Sequence, residues 1–185
     1  MKIIKTSLEG VIVIEPKVHG DDRGFFLESF HARKFEDAGI DASFVQTNIS
    51  RSSRGVLRGL HYQNPNPQGK LVTVVEGEVF DVAVDIRTSS PTFGKWTAVM
   101  LSETNHRHFW IPPGFAHGFC VLSPFATFMY QCTTPYDATG DAAIRWNDAD
   151  LAIDWPVSDP SLSSRDAQAP WLRDVPRDQL PDLSR

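Results

Sequence analysis

Residues 70–87 read KLVTVVEGEVFDVAVDIR, and this stretch sets the expectation for the fold. Two apolar runs rich in β-branched residues, 70–75 and 79–87, flank a turn at Glu76, Gly77 and Glu78. Runs of this kind around a glycine turn are typical of a β-hairpin. The stretch therefore predicts two core strands joined as a hairpin.

The same pattern extends outward in both directions. Strand-like runs occur at residues 10–16, 44–50, 96–101 and 126–132, and turn residues separate them. Helix signals are confined to short segments, one at 31–38 stopped by Gly39 and one at 161–169. About ten short strands with little helix predict an all-β, antiparallel jelly roll, either a barrel or a sandwich, around a ligand cavity. We expect one domain over residues 1–170 and a polar, proline-containing appendage over 171–185.

Composition narrows the classes of function. The 185 residues carry a net charge of -5, which argues against a general binder of nucleic acid or anionic membrane. The N-terminus lacks a long apolar run and a cleavage site, so the sequence indicates a cytoplasmic protein. Cys120 and Cys132 each lie in an apolar run and are expected to be buried thiols, without a disulfide or a metal role.

Residues 55–63, GVLRGLHYQ, carry the main candidate site, with Lys70 close behind. Arg58 offers a planar fork of donors for a phosphate or carboxylate, and His61 can accept a proton near neutral pH. Strict alternation would place these two side chains on opposite faces of a strand, so Gly59 is expected to mark a bulge or a close backbone approach. The alternative is an ordinary strand with one side chain buried and the other solvated.

Other candidates come from local patterns, and each has a structural alternative. Arg23 stands at a turn where it could meet a ligand or be solvated. His117 follows a Pro-Gly turn that would fix its position, and Tyr130 is either a core tyrosine or a weak acid. One face of the run at 44–50 is polar and suits either a ligand cavity or an exposed sheet face; its residues are Gln46, Asn48 and Ser50.

Five separated motifs resemble the dTDP-4-dehydrorhamnose 3,5-epimerase family, the cupin-fold isomerases of dTDP-L-rhamnose synthesis. They are DDRGFF at 21–26, GVLRGLHYQ at 55–63, GKLV at 69–72, WIPPGFAHGF at 110–119 and WND at 146–148. The resemblance implies a cupin-like jelly roll, a homodimer, and no metal or other cofactor. It also implies dTDP-4-dehydro-6-deoxy-D-glucose as the substrate, epimerised at C3 and C5.

The resemblance also assigns roles to residues. His61 resembles the family's general base, Tyr130 its general acid, Asp166 the carboxylate paired with the histidine, and Lys70 the lysine near the substrate carbonyl. Positions that resemble the nucleotide-sugar pocket are Arg23 and Arg58 for the phosphates, with Phe26, Glu28, Gln46, Asn48 and His117. Asp141 stands where the family usually has glutamate, and Arg165 stands where lysine is common.

Three alternatives stay open. A metal-dependent cupin could use His61, Gln63 and His117 as ligands, but the His-x-His and Glu cluster that such sites favour is missing around His61. A non-catalytic module would bind the nucleotide sugar and use Tyr130 and Asp166 only for packing. Enzymes that epimerise a single carbon share most of these motifs.

Overall fold

Two antiparallel sheets pack face to face in the computed structural model, which describes residues 1–182. The prediction of an all-β, antiparallel fold with few short helices is confirmed. In chain order the strands are β1 Lys2–Lys5, β2 Ile12–Glu15, β3 Val18–Asp21, β4 Gly24–Leu27, β5 Gln46–Ser53, β6 Leu57–Gln63, β7 Lys70–Glu76, β8 Glu78–Asp85, β9 Trp96–Ser102, β10 His108–Ile111, β11 Phe115–Val121, β12 Phe125–Cys132 and β13 Asp141–Ala143. The helices are α1 Ala32–Glu36 and α2 Ser164–Ala167, and 3-10 turns follow at Leu172–Asp174 and Arg177–Gln179.

The six-stranded sheet has the order β1-β2-β10-β7-β12-β5, and the five-stranded sheet has the order β13-β6-β11-β8-β9. Strands β3 and β4 form a separate hairpin. The face of the six-stranded sheet that points inward opposes the inner face of the five-stranded sheet. Apolar side chains between them form the main core, among them Val72, Phe109, Phe119 and Phe128.

The hairpin prediction for residues 70–87 is wrong. Both predicted strands form, but β7 pairs with β10 and β12, whereas β8 pairs with β11 and β9 in the other sheet. Gly77 has φ +83°, and a Cβ there would collide with the carbonyl oxygen of Phe125. The turn therefore carries the chain from one sheet to the other. A glycine turn reverses the direction of the chain, but it does not determine which strands the two arms pair with.

The C-terminal segment covers the outer face of the five-stranded sheet. Leu172, Val175 and Leu180 are buried there in one cluster with Leu57 and Leu60 of β6. The stretch predicted as an appendage thus packs against the sheet through these side chains, and residues 183–185 lie outside the described residues.

The cysteines and the helix lengths also bear on the sequence-based expectations. Cys120 and Cys132 are buried free thiols, as predicted, and burial raises the pKa of Cys120 to about 11. Within residues 1–182 every helix is too short or too polar to cross a bilayer.

Candidate active site

Strand β6 is irregular at Gly59, and the irregularity aims two functional side chains the same way. The pairing with β11 shifts register between His117 and Phe119, and Gly59 has φ +132°. A Cβ at Gly59 would collide with the backbone of Gly118. Leu57 and Leu60 consequently both pack in the outer cluster, while Arg58 and His61 both line a cleft of about 340 Å³. The predicted bulge is confirmed.

His61 is held by Asp166. Its Nε2 lies 2.6 Å from Asp166 Oδ1, and among residues 1–182 its Nδ1 makes no hydrogen bond. Desolvation raises the pKa of Asp166, but hydrogen bonding to His61 and to Ser163 outweighs it and leaves that pKa below its ordinary value. The aspartate is therefore a carboxylate at neutral pH. It orients the imidazole and leaves the second ring nitrogen able to accept a proton.

Helix α2 places Asp166 at the edge of β6. The Ser163 hydroxyl accepts the Asp166 backbone N–H at 3.1 Å, so Ser163 caps the helix. Just upstream, the Ser161 carbonyl accepts the N–H of Leu57 at 3.0 Å. Because both ends of the short segment 161–166 contact β6, the carboxylate is fixed relative to the imidazole.

A second imidazole and carboxylate pair lies beside the first. His117 is the β11 partner of His61, and its Nε2 is 3.0 and 3.1 Å from the two carboxylate oxygens of Asp81. Asp81 is 0% exposed, and burial raises its pKa although His117 opposes the rise. The sequence analysis missed Asp81. The sequence did offer a signal for Asp81: it is a carboxylate within an apolar strand, and a buried carboxylate needs a hydrogen-bonding or charged partner.

The facing, six-stranded sheet carries two further predicted residues. Lys70 on β7 is the register partner of Cys132 on β12, and Tyr130 lies two residues before Cys132. Desolvation lowers the pKa of Lys70 and raises that of Tyr130. Among residues 1–182 neither side chain makes a hydrogen bond or an ion pair, so both donors are available to a ligand.

Charged groups on the five-stranded sheet shift the pKa values of Lys70 and Tyr130 on the six-stranded sheet. Arg58, on the five-stranded sheet, lowers the pKa of Tyr130, whereas desolvation raises it more strongly. Asp81, also on that sheet, raises the pKa of Lys70 against the larger effect of desolvation. These charge interactions indicate that Lys70 and Tyr130 lie near Asp81 and Arg58 of the facing sheet.

Strand β5 turns its polar face inward. Gln46 Nε2 donates to Asn48 Oδ1 at 3.0 Å, and the Asn48 amide lies 3.9 Å from the Cys132 sulfur of the inner wall. The alternating residues Thr47 and Ile49 point outward, and Ile49 is 68% exposed. The polar side chains Gln46, Asn48 and Ser50 thus lie on the more buried face of this strand.

Asp141 and Arg165 close one end of the cleft. Arg165 Nη1 lies 2.7 Å from Asp141 Oδ2, and the Tyr136 hydroxyl donates to the same oxygen at 3.0 Å. The pairing raises the pKa of Arg165. Asp141 thus connects β13 to helix α2, next to Asp166.

Three predicted residues are not brought to this cleft. Arg23, Phe26 and Glu28 lie in or just after the β3–β4 hairpin, and Phe26 is 70% exposed. The Arg23 Nε donates to Asp21 at 3.1 Å, and Glu28 pairs with Lys34 at 2.6 Å. Among the described residues, no hydrogen bond or ring contact of residues 18–28 reaches His61, Lys70 or Tyr130.

The part of the chain from 1 to 182 brings no three His, Cys, Asp or Glu side chains together as metal ligands. Gln63, one ligand of the alternative metal site, instead donates to backbone carbonyls of Asn66 and Pro135. His61 and His117 each use Nε2 for a carboxylate.

A jelly-roll sandwich with an oriented imidazole on one sheet and, on the other, two half-buried donors that are unpaired within residues 1–182 suits an isomerase that moves protons. The family model for dTDP-4-dehydrorhamnose 3,5-epimerase matches residues 5–174. A dTDP-4-dehydrorhamnose 3,5-epimerase from Shigella flexneri is 57% identical over 168 residues, which are 90% of this chain and 93% of that protein. The chain belongs to the dTDP-4-dehydrorhamnose 3,5-epimerase family.

Solved structures agree with this assignment. A dTDP-6-deoxy-D-glucose-3,5-epimerase from Legionella pneumophila, in complex with dTDP-4-keto-L-rhamnose, is 53% identical with a TM-score of 0.96, covering 100% of this chain and 99% of that one. A 3'-monoepimerase from Streptomyces bikiniensis, in complex with dTDP-quinovose, is 37% identical with a TM-score of 0.90, covering 96% and 91%. The family thus includes relatives that act at one carbon.

Proposed function

We propose that this protein converts dTDP-4-dehydro-6-deoxy-D-glucose into dTDP-4-dehydro-L-rhamnose in the cytoplasm by epimerising C3 and C5. The observation that carries the proposal is the His61–Asp166 pair at 2.6 Å. Lys70 and Tyr130 lie on the facing sheet, where Asp81 and Arg58 of the His61 sheet influence their pKa values. The Legionella relative at 53% identity, solved with the keto-rhamnose nucleotide, supports the substrate class and both carbons.

The chemistry follows from the ketone at C4. Both C3 and C5 lie alpha to that carbonyl, so removal of either proton gives an enolate. His61 takes the proton at Nδ1, and the C–H electron pair moves into the enolate with its charge on the C4 oxygen. The Lys70 ammonium stabilises that oxygen in a desolvated cleft. Tyr130 then gives a proton to the opposite face of the same carbon.

Anion binding falls to local cations, because the chain as a whole is acidic. Arg58 lines the cleft beside His61, and its Nε donates to Ser52 Oγ at 3.1 Å, which leaves its terminal nitrogens for a phosphate. Further contacts to the nucleotide sugar come from Gln46, Asn48, His117, Asp141 and Arg165. The shorter Asp141 binds Arg165 in place of the glutamate that is usual in the family.

The same proposal includes a homodimer. The hairpin that carries Arg23 and Phe26 is exposed, and within residues 1–182 its side chains make no hydrogen bond or ring contact with His61, Lys70 or Tyr130. In a dimer these residues instead complete the site of the second copy. The outer face of the six-stranded sheet supplies an apolar surface for association, since Val45, Ile49 and Val75 are all more than half exposed. Residues Arg23, Phe26 and Glu28 then act on the partner's cleft.

Deuterium wash-in tests the catalytic part. Substrate incubated in D₂O with wild-type protein is expected to gain deuterium at C3 and C5 by NMR, and a coupled reductase traps the product. His61→Asn is expected to abolish the exchange, with dTDP affinity within about twofold of wild type, since the imidazole moves protons. Exchange retained in His61→Asn would remove His61 from the base role, and binding without exchange by wild type would indicate a binding module.

The single-carbon alternative rests on the Streptomyces monoepimerase. The same spectra decide it, because a monoepimerase places deuterium at one carbon only. Exchange at both carbons with inversion at both supports the 3,5-epimerase.

Subunit complementation tests the dimer. We expect twice the 20.7 kDa chain mass by light scattering. Arg23→Ala and His61→Asn chains are each expected to be impaired alone, and mixing them after subunit exchange is expected to restore up to about a quarter of wild-type activity. Restoration requires Arg23 to act in the partner's cleft, and a mixture no more active than its components contradicts this arrangement.

A further inference from the structure

A hollow of about 350 Å³ lies beside the C-terminal segment, and its lining shares no residue with that of the His61 cleft. Its floor is apolar and belongs to the outer cluster under the C-terminal segment: Leu151, Leu172, Val175 and Leu180. Phe93 adds an aromatic ring to one side. Small-molecule sites typically have volumes of roughly 300–1,000 Å³ and apolar walls with a few polar groups, and this hollow meets that description.

Charged side chains around this hollow have one predominant sign. Lys95, Arg173 and Arg177 contribute three cations, against one carboxylate from Asp150. The local excess of two positive charges contrasts with the net charge of -5 for the whole chain. The lining of the hollow therefore favours an anionic ligand, although the chain as a whole is acidic.

The cations are available to a ligand. Arg173 Nη1 is 3.7 Å from Asp150 Oδ2, and both side chains are mostly exposed, so this ion pair is weak. Lys95 and Arg177 form no ion pair and no side-chain hydrogen bond within residues 1–182. Each of them retains its full set of donors for an incoming acceptor.

We propose that this hollow is a second binding site, separate from the catalytic cleft, for a small amphipathic anion. The apolar body of the ligand lies on the leucine and valine floor beside Phe93. Its anionic group, a phosphate, sulfonate or carboxylate, is bound by Arg177 and Lys95 at the rim.

Two fluorescent probes with one ring skeleton test the charge and the apolar body together. 8-Anilinonaphthalene-1-sulfonate carries the anion, and N-phenyl-1-naphthylamine lacks it. We expect one saturable site on the wild-type protein, with at least tenfold tighter binding of the sulfonate. Saturating dTDP is expected to leave the sulfonate bound. Displacement by dTDP, the absence of a saturable site or equal affinity for both probes would overturn the proposal.

Exposed variants locate the site. Arg177→Gln and Lys95→Gln are each expected to weaken sulfonate binding by about tenfold and to leave naphthylamine binding unchanged, since each removes one charge-assisted contact. Arg33→Gln, an exposed cation on α1, is the matched control and is expected to bind like wild type. All three changes lie on the surface, so melting temperatures near that of wild type are expected. Equal affinity in Arg177→Gln, Lys95→Gln and the control would refute the placement.

Discussion

The two facing sheets differ in how their ionisable groups are held; the five-stranded sheet forms one wall and the six-stranded sheet the other. On the five-stranded sheet each imidazole is bound to a carboxylate, His61 to Asp166 and His117 to Asp81. On the six-stranded sheet Lys70 and Tyr130 are desolvated and, among residues 1–182, make no hydrogen bond. A paired imidazole keeps its orientation and can accept a proton, whereas an unpaired donor is ready for a substrate oxygen or carbanion. In the proposed reaction, one wall removes protons and the other returns them.

The largest test of this division is Tyr130→Phe. Removing the phenolic hydroxyl is expected to lower net epimerisation by roughly 10³-fold, because the proton donor is lost on one face of the sugar ring. His61 still abstracts and returns protons on its own face, so deuterium exchange is expected to fall far less than inversion. NMR of exchange and chirality in one sample measures both. A parallel fall in the two rates would contradict separate roles for the walls.

Asp166→Asn tests the paired wall. We expect kcat to fall by about 10²-fold, because asparagine no longer holds the imidazole in the tautomer that accepts a proton at Nδ1. Binding of dTDP, measured by calorimetry, is expected to stay within about twofold of wild type. Ser164→Ala, on the same short helix, serves as a control with wild-type rates. A rate loss below threefold in Asp166→Asn would show that the pair is only structural.

Lys70 predicts a pH dependence. Desolvation lowers its pKa from 10.5, so the ammonium loses its proton at a lower pH than an exposed lysine does. Activity is therefore expected to fall as pH rises through that lowered pKa, before Tyr130 ionises, since burial raises the pKa of the phenol above 10.0. Lys70→Arg is expected to move this alkaline fall to higher pH, and Lys70→Gln to cost about 10²-fold at neutral pH. If activity falls over the same alkaline pH range in wild type and in Lys70→Arg, Lys70 is not the group whose deprotonation causes the fall.

Asp141→Glu is expected to have the smallest effect. It lengthens by one methylene the side chain that holds the carboxylate next to Arg165 and Tyr136. We expect KM to change by no more than about twofold with kcat unchanged, because the pair with Arg165 is partly exposed and worth little. Steady-state kinetics measure this change. A tenfold change in kcat would place Asp141 among the groups that act on the reacting atoms.

The sequence indicated the strands well, because short apolar runs between turn residues report burial on a sheet. It also indicated the bulge at Gly59, since Arg58 and His61 serve one ligand only if the alternation breaks between them. It failed at Gly77, where the local turn signal is the same for a hairpin as for a chain that changes sheets. Pairing partners depend on contacts distant in sequence, and local pattern does not encode them.

The same limit explains Asp81 and the roles of the C-terminal residues. Asp81 meets His117 only through the pairing of β8 with β11, which the sequence pattern did not reveal. Asp166 was assigned by resemblance, because 105 residues separate it from His61. The structure added the reason for its position, which is the capped helix beside β6.

The close approach of Gly59 to Gly118 has a consequence for anyone who wishes to retarget this enzyme. A side chain larger than hydrogen at either position pushes apart two neighbouring strands, and the push reaches Arg58 and His61 at once. A change in strand β6 that alters ligand binding through Arg58 therefore also alters proton transfer through His61. Variant libraries aimed at new sugars will retain more active clones if they keep both glycines and vary β5 instead. Gln46 and Asn48 lie on the more buried face of that strand, in the sheet that does not carry His61.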